Sequence, residues 1–230
     1  MLFSVIMRTW NRAAYLAEAI ESVLKQTQPD FELIVCDDGS TDSTPKLMEH
    51  FLKKDKRIVY LQKPHTGIAD TGNYAIAHSR GEIIVQADSD DIQEPNKLEI
   101  YKEAFKDDVD FVYTGYYHCN PKGEIWQEIH PKPFTLENIK KNEACAGESI
   151  AYRKYVWEKT PYRTDFEIND DVPFTHDLFK AGWKYKMVDK PTFRYRLLAN
   201  STSYAKKDEV NKSTKDYWEK EGDSKGLRLP

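Results

Sequence analysis

Through the first hundred residues, short apolar runs alternate with stretches of helical spacing, and that alternation restricts the chain to an α/β fold with a mostly parallel sheet. FSVIM (3–7), ELIVCDD (32–38), RIVYL (57–61) and EIIVQAD (82–88) read as four strands. Apolar residues recurring at Leu16, Ala17, Ile20, Val23 and Leu24 give a helix with one inward face, starting at Ala13. Pro45 stands near the first position of a second helix, which runs through Leu47, Met48, Phe51 and Leu52. Further helices are expected around 72–79 and from Pro95 to about Phe105. Three of the strands deliver polar residues at their carboxyl ends: Thr9 to Asn11, Asp37 with Asp38, and Asp88 to Asp91. In an open α/β sheet that edge is where ligands bind.

Beyond the first hundred residues the pattern changes. DFVYTGYYHC (110–119) and EIWQEIH (124–130) flank the turn NPKG and predict an antiparallel excursion. Their aromatic residues Tyr113, Tyr116, Tyr117 and Trp126 read as core, with stacking on a sugar as the alternative. A helix over 172–180, stopped by Gly182, leads into KYKMVD. Past 203 the chain is charged and nearly without aliphatic residues, so an exposed or partly disordered helical tail is expected there. At 230 residues, 40% of them hydrophobic, there is enough material for a real core. A net charge of −4 argues against a nucleic-acid partner, which needs a basic face. No stretch approaches the roughly 18 apolar residues of a membrane span, and MLFSVIM lacks the charged start of a signal peptide. The expected location is the cytoplasm, with contact at a membrane surface left open. Cys36, Cys119 and Cys145 are odd in number and widely spaced, which supports buried thiols over disulfides or a zinc site.

The sharpest local feature is IIVQADSDDIQEP (83–95), an apolar run that ends in Asp88, Asp90 and Asp91. Two unit charges about 4 Å apart repel by roughly 4 kcal/mol at an effective dielectric near 20, so three acids at one strand end need compensation. Raised pKa values, nearby cations, hydrogen bonds or a divalent ion can supply it; aspartates and a phosphate are oxygen ligands of the kind Mg²⁺ and Mn²⁺ prefer. Alternatively, Asp88 and Asp91 cap the turn into the following helix. CDDGSTDST (36–44) ends a neighbouring strand and brings a second acidic cluster toward the same edge. Asp42 there reads as a helix cap, whereas Asp37 and Asp38 can accept from a nucleobase or ribose hydroxyl.

SVIMRTWNRAAYLAEAIESVLKQT, ELIVCDDGSTDST, GIADTGNYAIAHSRGEIIVQADSDD and NDDVPFTHDLFKAGWKYKMVD, in that order, resemble the motifs of family 2 glycosyltransferases. The resemblance spans about 3–205 and implies a GT-A fold: a nucleotide-sugar-binding half at 1–100 and an acceptor-binding half at 101–205, with a charged tail at 206–230. It also implies an inverting transfer from a nucleotide-diphosphate sugar, most commonly a UDP-sugar, to a hydroxyl of a glycan or lipid-linked glycan, with Mn²⁺ or Mg²⁺. Position by position, Thr9 and Asp38 match residues that hold the nucleoside, with Arg8, Asn11, Asp37 and Asn73 beside them. Asp88 to Asp90 match the D-x-D element: Asp90 is the implied metal ligand, and Asp88 touches ribose or metal. Asp91 and Asp170 fall near the donor sugar, and Asp171 falls on the catalytic base. One displacement at the anomeric carbon needs a single base and no enzyme nucleophile.

The chain departs from that pattern at three places. Arg8 replaces a usual proline and either reaches a phosphate or base or pairs with an aspartate. Gly72 stands where an arginine is usual. Leu198 stands where a metal-binding histidine often lies, leaving no evident third protein ligand. The six histidines show no metal-like spacing, with His65 and His176 alone in site-bearing segments. Glu148, in AGESIAYRK, either meets sugar hydroxyls or starts a strand. Two competing readings remain: a protein that binds nucleotide sugar without turnover, and a sugar nucleotidyltransferase, against which the missing Gly-rich N-terminal loop speaks.

Overall fold

The computed structural model describes residues 1–141, 143–144, 147–166, 170–199 and 207–222. Four parallel strands form its first half: β1 (Phe3–Thr9), β2 (Phe31–Asp37), β3 (Ile58–Gln62) and β4 (Ile83–Gln86), arranged β3-β2-β1-β4. Helices α1 (Ala13–Leu24), α2 (Thr44–Lys54) and α3 (Ile68–Ala77) connect them. These strands are apolar almost throughout because both sheet faces are covered. Val5, Met7, Leu33, Val35, Ile83 and Val85 pack with Leu16, Ile20, Met48 and Phe51 from α1 and α2. The alternate residues Ile6, Ile34, Cys36 and Ile84 pack on the other side with Ala69, Ala75 and Ile76 of α3.

A short β5 (Ile92–Gln93) and α4 (Lys97–Ala104) follow the acidic loop, and the sheet then continues with antiparallel members. The hairpin of β6 (Phe111–Cys119) and β7 (Ile125–Ile129) is antiparallel, as the turn NPKG predicts. A short helix α5 (Leu136–Lys140) leads to one turn of 3-10 helix at Gly147–Ser149 and then β8 (Ile150–Arg153), which lies antiparallel between β4 and β6. After α6 (Lys154–Lys159) comes α7 (Asp171–Ala181), ended by Gly182 at φ 69°, a left-handed position that glycine adopts without a Cβ penalty. The last strand, β9 (Tyr185–Arg196), is far longer than KYKMVD suggests, because it runs beside the whole of β6 and then pairs with β5.

Two expectations need correction. The region past 203 is not an exposed tail where it is described: α8 (Lys207–Lys220) buries Val210, Thr214, Tyr217 and Trp218. Those four positions form one helical face, and the Tyr217 hydroxyl bonds His176 Nδ1 of α7 at 2.6 Å. His176 is therefore a packing residue at a helix contact. Of the aromatic group assigned to the core, Tyr113 is fully buried, but Tyr116 and Tyr117 are only part-buried and Trp126 is 51% exposed. Cys36 and Cys119 are buried free thiols, and Cys145 lies outside the described residues. Among the described residues, no helix is long and apolar enough to cross a membrane.

Candidate active site

The carboxyl ends of β1 and β2 are tied together before any ligand is considered. Asp38 N donates to Thr9 O at 2.9 Å, and Asn11 joins the two following loops. Its Oδ1 accepts from Thr41 N (2.8 Å) and Asp42 N (3.2 Å), and its own N–H donates to Ser40 Oγ (2.8 Å). Asn11 holds φ 53°, a left-handed conformation that asparagine tolerates better than most residues. Asp42 accepts from Thr44 N and Ala13 N, so it serves the starts of both α2 and α1.

Asp37 and Asp38 have opposite fates. Asp37 is fully buried, accepting from Ser40 N (2.8 Å) and Tyr60 Oη (2.6 Å), contacts that position the loop. Asp38 accepts from Lys63 Nζ (2.8 Å), Thr66 N (3.0 Å) and Gly67 N (3.0 Å), and His65 Nδ1 lies 2.7 Å away. Burial raises its pKa, but these donors outweigh it and hold the carboxyl below its ordinary value. His65 also stacks on Trp10, with ring centroids 4.5 Å apart and planes at 15°, and Trp10 is 49% exposed. This aromatic shelf beside Asp38 escapes the sequence reading, although Trp10 sits between Thr9 and Asn11. Thr9 Oγ1 is buried with no hydrogen-bond partner among the described residues. The Asn73 carboxamide donates to Tyr162 O (2.8 Å) and accepts from Trp157 Nε1 (2.7 Å) and Tyr162 N (3.1 Å), which ties α3 to the 157–162 segment.

The acidic loop after β4 is held from behind. Arg196, at the end of β9, donates its N–H to Asp91 Oδ1 (2.7 Å) and its Nε to Asp90 O (2.8 Å). Asp88 N donates to Glu148 Oε2, which also accepts from Gln93 Nε2 at 3.1 Å. Neither Asp88 nor Asp91 caps α4, so the capping alternative fails. One oxygen from each of Asp88, Asp91 and Glu148 lies within 4.8 Å of the others, a group able to hold a metal ion. Asp91 Oδ2 and Glu148 Oε1 are buried and lack a hydrogen-bond donor among the described residues. Asp90 is not in this group; its carboxylate lies 3.4 Å from Arg12 Nε. Glu148 joins the group from a distant segment, and no spacing in the chain reveals it.

Charge crowding shows in the acidities. Burial, then Glu148, Asp90 and Asp88, push Asp91 well above the ordinary carboxyl range. Burial likewise raises Glu148 to about 7 against the pull of the Lys97 ammonium, with Asp88 adding to the rise. Lys97 is itself 1% exposed and donates to Gln86 O (3.0 Å), Gln93 Oε1 (2.6 Å) and Glu148 O (3.1 Å). That ammonium welds β4, β5 and the Glu148 segment under the loop, a role that a helical lysine in PNKLE does not advertise.

Across the crevice, α7 begins with Asp170 and Asp171. Arg8 pairs with Asp170 Oδ2, reaches to 3.9 Å from Asp88 Oδ1 and lies over the Tyr162 ring at 5.6 Å. The pairing with aspartates is one of the two alternatives that the sequence leaves open for Arg8. A Cβ on Gly72 would stand 3.4 Å from Arg8 Cδ, so the Arg8 side chain lies alongside the position where the family pattern has its arginine. Asp171 Oδ1 accepts from Val172 N at 3.0 Å. Burial, then Asp170 and Asp88, lift its carboxyl to about 6 even though Arg8 works in the opposite direction. Leu198 is buried at 3% exposure and offers no ligand atom.

The sequence profile of glycosyl transferase family 2 matches residues 4–186, and the chain belongs to that family. A chondroitin synthase of Pasteurella multocida (strain Pm70) is 36% identical over 221 residues, covering 92% of this chain but only 22% of the synthase. Among solved structures, S. aureus TarS 1–349 in complex with UDP superposes with a TM-score of 0.72 at 18% identity, over 95% of this chain and 72% of that one. The mannosyltransferase PcManGT of Pyrobaculum calidifontis, in complex with GDP-Man and Mn²⁺, gives 0.73 at 19% identity, over 99% of this chain and 65% of that one. The fold is therefore GT-A, as the motif order implies.

Proposed function

We propose that the chain moves a sugar from a nucleoside-diphosphate sugar, a UDP-sugar, to a hydroxyl of a glycan or lipid-linked glycan in one inverting displacement, with Asp171 as general base. The observation that carries the reading is the placement of Asp171 at the start of α7, next to Asp170, which Arg8 links to Asp88 of the acidic loop; burial there lifts the Asp171 carboxyl above its ordinary range, toward the pH at which a base must work. Arg8 spans the gap between Asp88 and Asp170, fixing the catalytic helix relative to the donor loop and easing repulsion among the acids. The neighbours that hold UDP, or GDP-Man with Mn²⁺, support the donor class.

On the donor side, Thr9 Oγ1 and the Asp38 carboxylate can meet the nucleoside, and the Trp10–His65 shelf suits the face of a base. Asp88, Asp91 and Glu148 fit a divalent ion, because two of their buried oxygens lack donors and hard carboxylate ligands suit Mn²⁺ or Mg²⁺. When bound there, such an ion supplies positive charge for the leaving diphosphate oxygen. Asp91, held by the Arg196 N–H, and Asp170, held by Arg8, are the residues we assign to the donor sugar. Asp171 then takes the proton from the acceptor hydroxyl as the new bond forms on the opposite face of the sugar.

The test is the anomeric configuration of the product. Proton NMR of a reaction run with an α-linked UDP-sugar should show a β-linked product from the first turnovers. An α-linked product would overturn the single-displacement mechanism.

A further inference from the structure

One set of rings runs from the buried Phe193 out to the surface of the β6–β7 hairpin. Tyr116 and His118 are two residues apart on β6, and Phe193 and Tyr195 are two apart on β9, so each pair shares a sheet face. Tyr116 stacks on Phe193 with centroids 5.2 Å apart and planes at 21°, and meets His118 and Tyr195 edge-on at 5.4 and 6.1 Å. His118 lies 6.0 Å from Tyr195 and 5.8 Å from Trp126 on β7. Exposure climbs along the series, from Phe193 at 2% through part-buried Tyr116, His118 and Tyr195 to Trp126 at 51%.

The inner end of this series meets the acidic loop. Lys97 Nζ, which donates to the Glu148 backbone, stands 5.0 Å over the Phe193 ring. Arg196, the residue after Tyr195, donates to Asp91. The Tyr116 hydroxyl is raised by burial and then by Asp91. A row of rings therefore runs from the carboxylates outward to the hairpin lip, where Lys122, Glu124, Gln127 and Glu128 are exposed polar neighbours. Packing alone does not call for a half-exposed tryptophan at the end of such a row. A partner protein would be met by a contiguous apolar patch, whereas here apolar ring faces alternate with polar edges. A pyranose has the matching chemistry, with C–H faces for the rings and hydroxyls for the polar rim.

We propose that the row Tyr116, Tyr195, His118 and Trp126, backed by the buried Phe193 ring, is the track on which a carbohydrate acceptor lies, its reactive end toward the acidic loop. The word acceptor rests on the transferase reading above; the carbohydrate track itself rests on the rings. Tetrasaccharides of chondroitin, chitin and cellulose are titrated into the full chain by calorimetry, alongside UDP with Mn²⁺ as a separate arm. At least one tetrasaccharide should bind; Trp126→Ala should weaken it about tenfold, the scale of one lost stacking contact, and Trp126→Phe should restore most of the loss. His118→Ala should weaken the same glycan, while UDP affinity stays at the wild-type value in every variant. Absence of saturable binding by all three glycans, binding indifferent to Trp126→Ala, or a parallel loss of UDP affinity would each overturn the track. Glycan binding that follows this pattern without any UDP binding would sink the transferase reading and leave the track standing.

Discussion

Replacing Asp171 by Asn should stabilise the protein near neutral pH while removing its turnover. The carboxyl sits at about 6 in place of its ordinary 3.8. A gap of about 2 units at about 1.36 kcal/mol per unit sets a ceiling near 3 kcal/mol. Asp171 keeps some contact with solvent, which reduces the expected value to about 1–2 kcal/mol. The sign follows from linkage: a carboxyl whose folded pKa is raised favours the folded state only where it is protonated, fully below about 4, and that contribution is lost as pH rises through about 6. Above that range the ionised group opposes folding, and asparagine does not, while its Oδ1 still accepts from Val172 N. Thermal melts with chelator should therefore show the variant about 2–8 °C more stable at pH 7–8, with the gap closing near pH 4. Turnover of the same preparations should fall about 10² to 10⁴-fold, and wild-type kcat/KM should drop about tenfold per pH unit below about 6. A variant that melts lower than wild type at pH 8, or that keeps near-wild-type turnover, would refute the assignment of Asp171 as a strained base.

The buried ammonium under the acidic loop gives a second expectation. Lys97→Met should cost about 3–5 kcal/mol in urea unfolding, because Glu148 loses the buried cation that opposes the rise of its carboxyl, and adding Glu148→Gln should recover part of the loss; strictly additive losses would contradict the coupling. Arg8→Lys cannot hold Asp170 and Asp88 with one planar fork, so kcat should fall at least about tenfold while the UDP dissociation constant stays within about threefold. A loss confined to UDP affinity would return Arg8 to the nucleotide. Trp218→Ala should destabilise by about 3–5 kcal/mol, whereas an exposed tail would show a change within about 0.5 kcal/mol.

The first half of the fold is legible because buried parallel strands and amphipathic helices announce themselves by period, and the strand ends carry the polar residues Thr9, Asp38 and Asp88. Glu148 and Lys97 are hidden for a physical reason. Each matters through contacts made across more than 50 residues of sequence, and neither type nor spacing marks a buried glutamate or lysine. Asp37 and Asp38 look equivalent in sequence, yet strand alternation turns one toward Tyr60 and the other toward Lys63. The C-terminal helix misleads because two aromatics, Tyr217 and Trp218, supply the buried area that aliphatic residues usually provide. Trp10 is missed because a lone exposed aromatic is common, and only its stack on His65 gives it meaning.

The central claim is that Asp88, Asp91 and Glu148 tolerate one another because a dication and a diphosphate complete them. Calorimetric titration of UDP into the full chain, once with Mn²⁺ and once with chelator, tests it most directly when repeated on Glu148→Gln. The account expects affinity to drop at least about tenfold with chelator, and the manganese dependence to fade in the variant. Equal UDP affinity with and without the metal, or a Glu148→Gln protein that responds to manganese as wild type does, would contradict it.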